Sequence, residues 1–131
     1  MRTRILFLSL ALIAVSITTM SFTAAAPWRQ LGSKSVDYLI DHDAIDIGYR
    51  GGTFQKLKIS VTSGSLNMHR CVIHFENGQE QTVDFRQNFK KGSASRIIDL
   101  AGNRRHIDRI SFWYDSKHNS PHKAVVTVWG R

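Results

Sequence analysis

The feature that most constrains this chain is a strict two-residue alternation of apolar and polar side chains. Leu57, Ile59 and Val61 alternate with Lys58 and Ser60. Cys71, Ile73 and Phe75 alternate with Val72 and His74, and Ile110, Phe112 and Tyr114 with Ser111 and Trp113. Residues 36–40, 45–47, 83–85, 98–100 and 124–128 repeat the pattern. Successive side chains of an extended backbone point to opposite faces, so each run offers one face to a core and leaves the other wetter. No window carries a convincing helical period. About eight short strands, separated by Gly51-Gly52, Ser63-Gly64, Asn77-Gly78, Lys91-Gly92 and Gly102-Asn103, predict an all-β fold, an antiparallel β-sandwich or a partly closed barrel. Asn77-Gly78 predicts a tight type I′ hairpin, because both residues tolerate positive φ.

Two slips of phase interrupt the alternation. Leu66 and Met68 have the opposite parity to Cys71, Ile73 and Phe75, and Ile107 is out of phase with Ile110. One extra residue in each strand would restore a common inner face, so β-bulges are predicted at His69-Arg70 and at Asp108-Arg109.

The first residues read differently. Arg2 and Arg4 precede an apolar run over residues 5–17, and Thr23-Ala24-Ala25 supplies small side chains behind it. A run of about 13 residues suits the apolar core of a secretory signal and is short for a spanning helix. Cleavage after Ala25 is expected, since cleavage after Ala26 would leave Pro27 first. Residues 1–25 are then a signal peptide and residues 26–131 a single domain in the periplasm of a bacterium or outside the cell. No later segment is apolar enough to span a bilayer. Losing Arg2 and Arg4 lowers the formal net charge from +8 to about +6. A basic surface favours acidic partners, and export makes these an anionic envelope polymer, a glycan or a protein rather than nucleic acid.

Cys71 is the lone cysteine, so no internal disulfide holds the domain together. Its parity with Ile73 and Phe75 predicts a buried thiol acting as a small hydrophobe; the alternative is a disulfide between two chains.

Several short motifs together resemble a known family. They include Leu31-Gly32, Asp41-His42-Asp43-Ala44-Ile45, Phe54-Gln55-Lys56-Leu57, Phe75-Glu76-Asn77-Gly78, Ile98-Asp99-Leu100-Ala101-Gly102 and Phe112-Trp113-Tyr114. The chain is similar through nearly all of residues 26–131 to a family of small exported bacterial β-sandwich proteins catalogued as a domain of unknown function. The resemblance implies an all-β fold and an envelope or secreted location, and it brings no catalytic residues with it.

Candidate chemistry is sparse. Asp41, Asp43 and Asp46 have the residue types for a hard cation but lack the spacing of an EF-hand loop, and a structural turn joining two strands is the alternative. His118 and His122 are four apart, but Pro121 breaks any helical face, and no HExxH or paired cysteines accompany them. Cys71 and His74 would sit about 10 Å apart on opposite faces of a strand, too far for a thiol–imidazole pair. No metal or cofactor is implied, and a small hydrolase stands only as the alternative to a non-catalytic module. If the last two strands form a hairpin, Arg109, Trp113 and Trp129 share its outer face as a stacking surface for a sugar or partner, unless the segment around Trp28 covers it. Arg105 is expected beside them as an outward contact, and an Arg96–Asp99 pair is expected to brace the end of the sandwich.

Overall fold

The computed structural model describes residues 26–38, 40–48, 51–115 and 122–131. Among them the strands are β1 (Arg29–Ser35), β2 (His42–Asp46), β3 (Thr53–Phe54), β4 (Lys56–Thr62), β5 (Leu66–Phe75), β6 (Glu80–Phe89), β7 (Ser93–Ala94), β8 (Ile98–Asp99), β9 (Arg105–Tyr114) and β10 (Val125–Gly130). Two antiparallel sheets pack face to face. One has the order β1-β10-β4-β7, with β8 on the same edge of β4 as β7; the other has the order β2-β9-β5-β6, with β3 continuing β2 along β9. The fold is an open sandwich, not a barrel. Residues 1–25, expected to be a signal peptide, lie outside the described residues, as do His118 and Pro121.

The inner faces follow the alternation. Leu57, Ile59 and Val61 of β4 and Val126 and Val128 of β10 face Ile73, Ile110 and Phe112 of the other sheet, all of them 0–1% exposed. Both predicted bulges are present. The register of β5 against β6 and β9 shifts between Met68 and Arg70, and His74 and Phe75 pair with Arg109 and Ile107, which leaves Asp108 as the extra residue of β9. Met68 and Cys71 therefore both point inward, as do Ile107 and Ile110.

Three local expectations are corrected. Residues 36–38 and Ile40 are not part of a strand. Val36 and Tyr38 reach the core from an irregular segment, while Ile40 stays exposed. That segment is held by hydrogen bonds: Val36 N donates to Ala124 O, Tyr38 Oη donates to Ser65 O and accepts from Ala124 N, and Tyr114 Oη donates to Asp37 O at 2.8 Å. Secondly, the residues from His42 to Asp46 form an edge strand rather than a turn. Thirdly, the β5–β6 connection is not type I′. Gly78 N donates to Phe75 O, and only Gly78, at φ 87°, takes the left-handed conformation, which gives a three-residue loop ending in a glycine bulge.

Cys71 is a buried free thiol at 1% exposure, out of reach of a second chain, so the interchain disulfide is excluded. Burial pushes this thiol up from its ordinary value of 9.0 to about 12, against a smaller downward pull from the Arg96 guanidinium. Burial likewise raises the Tyr114 hydroxyl, helped by the Asp43 and Asp37 carboxylates.

Two predictions follow from this packing. A Cβ on Gly130 would stand 2.7 Å from Phe54 Cδ1 and 2.8 Å from Leu31 Cδ1. Gly130→Ala is expected to cost about 1–3 kcal/mol through overpacking, read as a lowered midpoint in urea unfolding; an unchanged midpoint would show that Phe54 and Leu31 can yield. The second concerns pH. The folded protein keeps the Cys71 proton that the unfolded chain sheds. This contribution to stability is complete below the ordinary thiol value of 9.0 and is lost as pH rises towards about 12. The loss reaches ~1.4 kcal/mol per pH unit. Unfolding free energies of Cys71→Ala measured between these limits are expected to fall less steeply with pH than those of the parent, and parallel slopes would refute the assignment.

Candidate binding surfaces

The expected hairpin of the last two strands does not form. β9 lies in the second sheet and β10 in the first, so Trp113 and Trp129 stand on opposite outer faces of the sandwich and cannot make one surface.

Each outer face can be read from the register. On the second sheet, His42, Trp113 and Arg70 form one cross-strand row, and Asp46, Arg109 and His74 form another. The Arg70 guanidinium lies 4.2 Å over the Trp113 ring, and the His42 ring stacks on it at 6.2 Å. Arg109 Nη1 is 3.4 Å from Asp108 Oδ2, while His74 meets Glu80 Oε1 at 3.2 Å and Ser111 Oγ at 3.1 Å. This face satisfies much of its polarity internally.

Arg105 is a brace for the fold. Its Nη1 donates to Ala101 O at 2.8 Å, and its Nη2 donates to Asn77 Oδ1 and Gln79 Oε1 at 3.1 and 2.7 Å. The guanidinium also packs 3.9 Å from the Phe75 ring centroid. It thus fastens the β8–β9 loop to the β5–β6 turn. The Arg96–Asp99 pair is replaced by two others. Arg96 donates to Asp84 O and lies over Phe85, and Asp99 pairs with Lys56 across β4 and β8. Beside Arg105 a cavity of about 400 Å³ is lined by Phe75, Glu76, Asn77, Arg104 and His106. His106 Nδ1 sits 3.1 Å from Gly52 O and 4.0 Å from Glu76 Oε2. The lining contains no serine, threonine or cysteine that could serve as a nucleophile.

The three aspartates do not converge. Asp43 is on the inner side of β2, paired in register with Phe112, and meets Lys34 Nζ at 3.6 Å; Asp46 is on the outer side, in register with Arg109. A strand's parity keeps these two apart. Asp41 binds His42 Nδ1 at 3.0 Å, and that hydrogen bond lowers its carboxyl below the usual range. Among the described residues no three His, Cys, Asp or Glu side chains are grouped as metal ligands would be.

The first sheet differs. On its outer face Trp129 Nε1 donates to Ser60 Oγ at 2.8 Å, and Trp28 shares a lysine with it. Lys58 Nζ is shared between them, 4.6 Å from the Trp28 ring centroid and 5.8 Å from that of Trp129. Arg131 lies 5.0 Å over Trp28, and Arg29 5.8 Å over Phe54 on the same end of the sandwich. Among the described residues, Arg29, Lys58 and Arg131 have no carboxylate within ion-pair distance, whereas Lys34, Lys56 and Arg109 do. Lys58, Arg131 and Arg29 were not singled out by sequence reasoning. The one available signal was Lys58, an outward cation in the middle of the alternating β4.

No helix among the described residues is long and apolar enough to cross a membrane. A search of curated proteins finds no match. In fold, the chain is similar to a solved structure of Pseudomonas aeruginosa AlgX, with a TM-score of 0.53 and 9% identity over 79% of this chain. That match spans only 26% of AlgX, and at this identity it concerns the fold alone. The family comparison reaches further, since one model matches residues 6–130, and by it the chain belongs to the DUF2541 family, a domain of unknown function.

Proposed function

We propose that this protein is an exported, non-catalytic module that binds an acidic polymer of the cell envelope. The observation that carries the reading is the group of Lys58 and Arg131 on the Trp28 and Trp129 rings, without a carboxylate partner among the described residues. A cation seated on an aromatic face is held in place while its N–H groups still point outward to an anion. Cations neutralised by neighbouring carboxylates would have little attraction left for a ligand. The formal net charge, about +6 once Arg2 and Arg4 are removed, adds a long-range pull on any polyanion. Export is supported by Arg2 and Arg4, the apolar run over residues 5–17 and the small residues before Ala26, and the family match already begins at residue 6.

Two measurements test this reading. The protein is expected to bind polygalacturonate or inorganic polyphosphate, to lose affinity as salt rises, and to bind neutral hydroxyethylcellulose more weakly. The double variant Lys58→Glu, Arg131→Glu is expected to lose about tenfold in affinity for the acidic polymers. Equal retention of parent and variant would sink the reading. For export, mass spectrometry of the protein recovered from the periplasm or medium of a secreting bacterial host is expected to find Ala26 as the first residue. Recovery of the uncleaved chain in the cytoplasm would contradict it.

A further inference from the structure

The acidic polymer proposed above can be narrowed by what surrounds the two tryptophans; the inference rests on that reading. The outer face of the sheet β1-β10-β4 is laid out in cross-strand rows. Gln30, Trp129 and Lys58 form the first, Ser33, Thr127 and Ser60 the second, and Ser35, Val125 and Thr62 the third. Beyond the row of Trp129 the face therefore carries only small side chains, five of them with hydroxyls. None is long enough to rise above the sheet, and Thr127 is packed down to 7% exposure. Neither lysine, arginine nor carboxylate interrupts these two rows.

We infer that this face is a track for a glycan chain built of acid-bearing sugars, with Trp28 and Trp129 as its aromatic end and Lys58 and Arg131 as the partners of the sugar acid groups. Three physical features favour a glycan over another polyanion. A sugar ring has apolar C–H faces that suit an indole, so an aromatic ring and a cation can engage the same residue of the ligand. A polyhydroxylated chain needs donors and acceptors at one level, which Ser33 and Ser60 supply on either side of the covered Thr127. Ser60 Oγ accepts from Trp129 Nε1 at 2.8 Å, so its own proton is available to an oxygen of the ligand. A phosphate polymer would use the cations and hydroxyls but has no apolar ring face to set against the indoles. A protein partner of ordinary size would need a larger apolar centre than this flat polar face offers. The opposite face, with His42, Arg70 and Trp113 engaged with one another and Arg109 against Asp108, has no comparable level strip.

The experiment compares polygalacturonate with inorganic polyphosphate by isothermal titration, using the parent, Trp28→Ala and Trp129→Phe. Trp28 lies before the first strand, and Trp129→Phe keeps a ring while removing the Nε1–H donor to Ser60. The expected result is about a tenfold loss of polygalacturonate affinity in Trp28→Ala, a smaller loss in Trp129→Phe, and polyphosphate binding unchanged within about twofold in both. If both polymers weaken in parallel, or if neither is affected, the glycan track is overturned while the acidic-polymer reading survives. If neither polymer binds the parent at low salt, the acidic-polymer reading fails, and the track with it. Circular dichroism melting of the two variants at the parent's temperature separates loss of affinity from loss of fold.

Discussion

Everything in this structure depends on keeping one apolar face continuous along β5 and β9, the two long strands at the centre of the second sheet. Each carries ten residues, and over that length a strand that stayed strictly in phase would bury part of its polar sequence. A shift by one residue turns every later side chain to the other face. In the ladder between them, the extra residues at His69 of β5 and Asp108 of β9 absorb that shift. They place Met68, Cys71 and Ile73 on one side with Ile107, Ile110 and Phe112, and they send Arg70, His74, Arg109 and Trp113 to the other. The outer faces are thus by-products of how the core is kept whole. Asp108 also accepts hydrogen bonds from Ile47 and Gly48 through its backbone carbonyl, so the bulge ties down the end of β2 as well.

Period-two patterning says which side chains face inward, and here it said so almost completely. It does not say which sheet a strand joins. Only β5 and β6 are both consecutive in the chain and paired with each other; every other ladder joins strands distant in sequence. The neighbouring β9 and β10 look like a hairpin from their alternation, yet the chain crosses to the opposite sheet between Tyr114 and Val125. A surface built from their shared parity therefore fell apart, although the parity of each strand was right. β1 was invisible for a different reason. Its inward side chains are Leu31, at a register shift, Gly32, whose Cβ site is taken by Ile45 Cγ2, and Lys34, which reaches across to Asp43 instead of burying an apolar side chain. An edge strand filled by a neighbour's methyl group and a snorkelling lysine leaves no alternation to read. Conversely, Val36 and Tyr38 alternate without being a strand: past the Val36 N bond to Ala124 O the ladder stops, and the Tyr114 hydroxyl holds the backbone at Asp37 O instead.

The arginines show how little composition says about role. Arg105 and Arg131 have the same chemistry and both lie on an aromatic ring, at 3.9 and 5.0 Å from its centroid. Arg105 also donates three hydrogen bonds to a carbonyl and two side-chain amides, which consumes its outward donors and fixes two loops. Arg131 makes no such bonds to side chains among the described residues. Arg105 is a fastening, Arg131 is the charge that the proposed binding would use, and only the surroundings distinguish them. The sequence contains the arginines and tryptophans in plain view, but their division into these roles comes from loop geometry that a linear pattern does not carry.

The same contrast bears on why a basic patch would be tolerated at all. Like charges such as Lys58, Arg131 and Arg29 on one end of a small domain repel one another, and the simplest relief is a neighbouring carboxylate. Lys34, Lys56 and Arg109 have that relief in Asp43, Asp99 and Asp108. The first three have aromatic rings instead. A ring offsets part of the desolvation of a cation and restrains its position, but it leaves the net charge uncancelled. A stability requirement alone would be met as well or better by an ion pair, because the pair also removes the repulsion. On the binding reading proposed above, the cancelling charge arrives from outside, on a chain laid along the level strip of serines and threonines next to the cations.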